Sequence, residues 1–264
     1  MQQIPQLLVS VRNAEEACRA VSGGAEIIDV KEPVRGPLGM ADVSVIAAIA
    51  DTVAQQDASR RCSAALGEVS DWLETERVPA LPDGLQYAKL GLSGLARSVS
   101  WRREWQDVRR RFEQASSGLW KWIAVAYADR DAADCPRLDE IIVAAAETSC
   151  AGVLIDTFDK RNGNLLSHLS ADELSAAAEQ CHASGLFLAV AGRLAVASLS
   201  HLAGTGCDVV GIRSAACDGR DRQAAVRSES VAEFRRQMAG VFTHAAENRG
   251  DRRRQPGAAR NAGD

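Results

Sequence analysis

The sequence predicts an α/β protein, a single (β/α)8 TIM barrel, and three observations carry that expectation. Short apolar runs alternate with helical patterns from one end of the chain to the other, the signature of repeated β-α units and a parallel sheet. The number of such runs is eight, and several are nearly continuous rather than alternating, as expected where both faces of a parallel sheet are covered. The length of 264 residues, 46% of them apolar, suits one closed core of this size.

The expected strands are Leu7 to Val11, Glu26 to Val30, Arg61 to Leu66, Leu85 to Leu90, Trp122 to Ala126, Gly152 to Asp156, Leu186 to Ala191 and Asp208 to Ile212. Between the first two, Asn13 caps a helix Ala14 to Ser22 whose Glu15 and Glu16 suit the positive end of the helix dipole, and Gly23-Gly24 stops it. The third unit places its helix between Ser70 and Leu81, where Pro79 and Pro82 leave little room. Ser170 with Glu173 forms a capping box ahead of Leu174 to Ala183, and Gly185 ends that helix before the seventh strand. The barrel domain is expected over 1–246, followed by an arginine-rich tail, 247–264, expected to be disordered.

Composition narrows the function classes. A net charge of −4 argues against a nucleic-acid surface, and no apolar run approaches a membrane span. Without a signal-peptide pattern the expected location is the cytoplasm. The seven cysteines form no C-x-x-C pair and read as reduced, mostly buried small residues. His168, His182, His201 and His244 show no metal-binding spacing, so neither metal nor cofactor is expected. Rossmann, P-loop and nucleophile-elbow motifs are missing. A homo-oligomer is compatible with these features.

The basic residues are 27 arginines and four lysines, Lys31, Lys89, Lys121 and Lys160. Guanidinium cannot shed its proton to become a nucleophile, so a lysine retained in so arginine-rich a chain points to a site that needs an amine. In a barrel of this kind, reactive groups sit at the C-terminal ends of the strands. Strand two ends Asp29-Val30-Lys31, and alternation by two puts Asp29 and Lys31 on one side, facing the barrel mouth. Burial and a cationic neighbour favour the free amine, a nucleophile toward carbonyls, although a plain salt bridge at a strand end is an equal alternative from position alone. Lys89 is placed near the same rim by strand four, as nucleophile or proton carrier. Strand six ends in Asp156, a proton shuttle or a helix cap, and Lys160 follows on its loop as an electrostatic or phosphate partner. Lys121 opens strand five and belongs to the opposite end. Phosphate recognition is expected in the loops after strands seven and eight, from Gly192, Arg193, Gly211, Arg213 and Ser214.

These residues occur in a recognisable order. Gly23 to Pro33 with Gly36-Pro37-Leu38-Gly39, then Tyr87 to Leu92, Ala126 to Asp129, Leu154 to Thr157 with Lys160, Ala191-Gly192 and Asp208 to Cys217, together resemble the (5-formylfuran-3-yl)methyl phosphate synthase family over nearly the whole chain. The resemblance implies a lyase that condenses two molecules of glyceraldehyde 3-phosphate, losing phosphate and water, in the synthesis of methanofuran-type one-carbon carriers. It also implies that Lys31 is the Schiff-base lysine and Lys89 the proton acceptor, with Asp29, Asp156 and Lys160 lining the site. Ser214 stands where the family's motif has glycine. A generic lysine-dependent aldolase on a phosphorylated sugar and a non-catalytic phosphate-metabolite sensor are the alternatives.

Overall fold

A computed structural model describes residues 4–254. Eight parallel strands close in chain order, each hydrogen-bonded to the next and β8 to β1. They are β1 (Gln6–Val11), β2 (Ile27–Val30), β3 (Arg61–Glu68), β4 (Tyr87–Gly91), β5 (Lys121–Tyr127), β6 (Gly152–Asp156), β7 (Phe187–Val190) and β8 (Val209–Ile212). All eight overlap the expected segments, with ends shifted by a residue or two where the register runs out.

The helices are α1 (Ala14–Ser22), α2 (Val43–Gln56), α3 (Trp101–Ala115), α4 (Arg130–Ala133), α5 (Leu138–Glu147), α6 (Ala171–Ala183), α7 (Leu199–Leu202) and α8 (Ser228–Arg254). Both expected caps form: the Asn13 side chain accepts from Glu16 N at 2.9 Å, and Ser170 and Glu173 bond reciprocally. Gly23 has a second use beyond stopping α1. A Cβ there would lie 2.5 Å from the Val231 side chain, so α8 packs against α1 only because that position has none.

The third unit departs from expectation. Between β3 and β4 the chain makes one 3-10 turn, Val69–Trp72, and no α-helix. The prolines at 79 and 82 would stop any helix short, and tertiary contacts hold the segment instead. Trp72 donates its indole N–H to Leu66 O at 2.8 Å, Arg111 of α3 donates to Trp72 O at 2.8 Å, and the Trp72 and Phe112 rings meet edge-on at 5.1 Å.

The backbone of α8 runs to Arg254, into the segment expected to be a disordered tail; residues 255–264 lie outside the described residues. Among the described residues no helix is long and apolar enough to cross a membrane. The cysteines are free and all but Cys18 are buried.

Inside the barrel the layers change character from bottom to top. Leu8, Ile27, Tyr87, Ile123, Leu154, Phe187 and Val209 form an apolar floor, with Tyr87 and Phe187 in edge contact at 5.8 Å. Directly above this floor the interior becomes polar, which is where the lysines enter.

Candidate active site

A cavity of about 470 Å³ opens at the C-terminal ends of the strands. Lys31 follows β2 by one residue, held there by its own N–H to Val11 O at 3.1 Å, and its side chain lines the cavity at 7% exposure. Across the mouth, Asp156 at the end of β6 puts Oδ2 3.9 Å from Lys31 Nζ. Burial is the largest influence on this amine and lowers its pKa to about 8; Lys160 and Lys89 add to the lowering, while Asp156 and Asp29 oppose it. The alternation argument therefore places Lys31 where the structure has it, at the cavity mouth opposite Asp156.

Asp156 is 2% exposed, which alone would raise its pKa, yet Lys160 and Lys31 outweigh burial and hold it below the usual carboxylate range. Its Oδ1 accepts from Lys160 Nζ at 2.5 Å and from Thr157 N at 2.8 Å. Lys160 also donates to Thr157 O and Oγ1. The loop that carries Lys160 is positioned by a residue the sequence reading did not assign: Asp129, after β5, accepts from Phe158 N at 2.6 Å and Asp159 N at 2.7 Å.

Lys89 lies deeper than expected. It is the middle residue of β4, 2% exposed, and it contacts the small closed space above the apolar floor instead of lining the open cavity. Its Nζ donates to Asp29 and, at 2.7 Å, to Ser63 Oγ. Asp29 in turn accepts from Ser63 Oγ at 2.6 Å and Ser10 Oγ at 3.2 Å and lines the cavity itself. The Asp29 carboxylate thus stands between the interior lysine and the space in which a substrate fits. Ser10 and Ser63 were not anticipated, although alternation places both on the inward face of their strands. Lys121 is exposed at the start of β5, away from this cluster.

The expected phosphate-binding residues Gly192, Arg193, Gly211, Arg213 and Ser214 all line the cavity. Gly192 adopts φ +107°, and a Cβ there would lie 2.9 Å from Thr157 Cγ2, so glycine is what lets the loops after β6 and β7 close on each other. Arg193 strengthens that closure by donating to Lys160 O at 2.7 Å. Ser214 is not among the residues with positive φ, so serine sits there without backbone strain.

Arg213 differs from the others in having its whole guanidinium engaged within the protein. It is 8% exposed, and its five N–H donors are spent on Ser10 O, Arg222 O, Ala224 O and both oxygens of Glu16. The guanidinium is a brace joining β1, α1 and the loop after β8. For Glu16, burial raises the pKa, but the Arg213 hydrogen bonds and charge, with Arg12, bring it below the ordinary 4.5. Because the folded-state pKa is the lower one, this pair contributes stability above about that pH and loses it on acidification. Arg213→Ala, which leaves the buried Glu16 charge unpaired, is expected to cost about 3–5 kcal/mol in urea denaturation. A cost under about 1 kcal/mol would show that the brace is dispensable.

Fold and site together define a barrel enzyme with an amine of lowered pKa at the end of β2 and an opposing carboxylate on β6. Comparison with known proteins makes the assignment specific. Residues 7–235 match the family model for 4-HFC-P synthase. The chain is 36% identical over 236 residues to (5-formylfuran-3-yl)methyl phosphate synthase of Methanopyrus kandleri, covering 86% of this chain and 96% of that protein. It is 34% identical over 222 residues to the synthase of Methanococcus maripaludis strain C5, covering 82% and 91%. Solved structures similar in fold alone include (S)-3-O-geranylgeranylglyceryl phosphate synthase from Thermoplasma acidophilum, with TM-score 0.59 and 13% identity over 92% of this chain and 94% of that one. A 3-hexulose-6-phosphate synthase aligns with TM-score 0.54 and 17% identity over 88% and 99%. The chain belongs to the (5-formylfuran-3-yl)methyl phosphate synthase family and is an enzyme.

Proposed function

We propose that the protein condenses two molecules of glyceraldehyde 3-phosphate into (5-formylfuran-3-yl)methyl phosphate, with loss of one phosphate and water, in the synthesis of methanofuran-type one-carbon carriers. The observation that carries the chemistry is Lys31, a buried amine at about pKa 8 facing a cavity large enough for small phosphorylated substrates. Lys31 Nζ adds to the carbonyl carbon of one triose; the carbinolamine loses water to give an iminium. That cation acidifies the adjacent carbon, whose proton leaves to Asp29. Lys89 acts through Asp29, exchanging the proton behind the carboxylate. The enamine carbon attacks the carbonyl of the second aldehyde, and a substrate hydroxyl closes the ring on the former imine carbon, breaking its C–N bond and returning the free Lys31 amine, while Asp156 with Lys160 stabilises charge and shuttles protons as phosphate and water are eliminated. Gly192, Arg193, Gly211 and Ser214 form the wall against which the phosphates lie.

The pH dependence follows from Lys31. At pH 7 roughly a tenth of an amine with pKa about 8 is neutral, several hundred-fold more than for an ordinary lysine. Imine formation is expected to rise with pH and level off above about 8; a rate still climbing steeply between pH 9 and 10 would contradict the lowered value. The direct test is incubation with glyceraldehyde 3-phosphate alone. Growth of the ultraviolet absorbance of a furan aldehyde, with release of inorganic phosphate, supports the synthase reaction. Carbon–carbon bond formation without that chromophore would favour a generic lysine-dependent aldolase.

A further inference from the structure

One cation of the cavity wall has no part in the chemistry above. Arg222 lies between β8 and α8, half-buried, and lines the cavity together with Lys31, Asp156 and Arg193. Other guanidinium groups at this rim already have protein partners: Arg213 is fully committed, Arg193 donates to Lys160 O, and Arg161 pairs with Asp159. Arg220 is exposed to bulk water. The Arg222 side chain makes no hydrogen bond or ion pair among the described residues. Its backbone, by contrast, is fixed, because Arg213 Nε donates to Arg222 O at 2.9 Å and Arg213 also holds Ala224 O at 3.1 Å. The Arg213 brace thereby presents the neighbouring arginine to the cavity.

A partly desolvated guanidinium without a partner is unfavourable in the empty protein. Burial disfavours its charge, Asp156 opposes that, and Arg213 and Arg193 add to it. The side chains around the cavity include seven cations and three carboxylates. Even after Glu16 and Asp159 are credited to Arg213 and Arg161, at least two positive charges remain uncompensated. A bound phosphate dianion removes both deficits, and the planar fork of arginine matches two phosphate oxygens.

We infer that Arg222 is a specificity-determining residue, whose guanidinium grips the phosphate of a bound triose in the place that Arg213 is too committed to fill. This rests on the triose phosphate chemistry proposed above. The test compares wild type, Arg222→Gln and Arg222→Lys in three measurements: borohydride trapping on Lys31 with glyceraldehyde 3-phosphate, the same trapping with unphosphorylated glyceraldehyde, and calorimetric binding of inorganic phosphate. Arg222→Gln is expected to raise the half-saturating concentration of glyceraldehyde 3-phosphate by about 10- to 100-fold, the loss of a charge-assisted hydrogen bond. Trapping with glyceraldehyde and the melting temperature stay unchanged, inorganic phosphate binding weakens in parallel, and Arg222→Lys recovers part of the loss.

An undiminished preference for the phosphorylated aldehyde in Arg222→Gln overturns the inference, as does an equal loss with both aldehydes, which is what a merely structural residue produces. If wild type is not trapped on Lys31 at all, the imine reading fails separately. Arg222 is then judged by calorimetry, where equal phosphate binding by wild type and Arg222→Gln counts against it.

Discussion

Replacing Lys31 by arginine is expected to abolish turnover and borohydride trapping together, the largest effect of any substitution in the protein. Arginine keeps the positive charge opposite Asp156, so the ion pair across the mouth survives in kind, while the ability to form an imine is lost. The loss is therefore chemical and not electrostatic. Mass analysis of the reduced wild-type protein should place the substrate-derived adduct on the peptide that contains Lys31. Residual turnover within 100-fold of wild type in Lys31→Arg, or an adduct on another lysine, would remove the imine from Lys31.

Lys89→Gln should behave differently: trapping persists while turnover falls by about 10²- to 10⁴-fold, the range for a positioned acid-base group. Lys89 does not line the cavity, so substrate can reach Lys31 without it; what it loses is the partner that charges and orients Asp29. Removing it leaves a buried carboxylate supported by Ser10 and Ser63 alone. Lys89 also lowers the Lys31 pKa, so the pH at which trapping reaches half its maximum should move upward in the variant. Near-normal turnover takes Lys89 out of the mechanism. Trapping lost at every pH in Lys89→Gln, but retained on Lys89 in Lys31→Arg, means that the two lysines have exchanged roles.

The strand count, the strand order and the positions of Lys31, Asp29 and Asp156 were legible because each follows from local periodicity. An inward residue two positions from another inward residue stays inward in any parallel barrel, whatever the rest of the chain does. The caps at Asn13 and Ser170 were legible for the same reason, since their hydrogen bonds span only three residues. The third helix was not, because the prolines weakened it and the packing of Trp72 on Phe112 offered an alternative that only distant residues supply. Lys89 was misplaced in depth because sequence gives the face of a strand but not its height in the barrel, which the stagger between neighbouring strands sets.

By itself, then, the sequence determined the barrel and the amine-bearing strand ends, both products of short-range alternation and of residue types that few other sites require. Only the tertiary structure decided which arginine is a brace and which is left without a protein partner at the cavity. Arg213 and Arg222 are both loop arginines of the same stretch, and nothing near either distinguishes them. The difference is Glu16, 197 residues away in sequence, whose buried carboxylate takes up the fork of Arg213 and leaves the guanidinium of Arg222 facing the cavity.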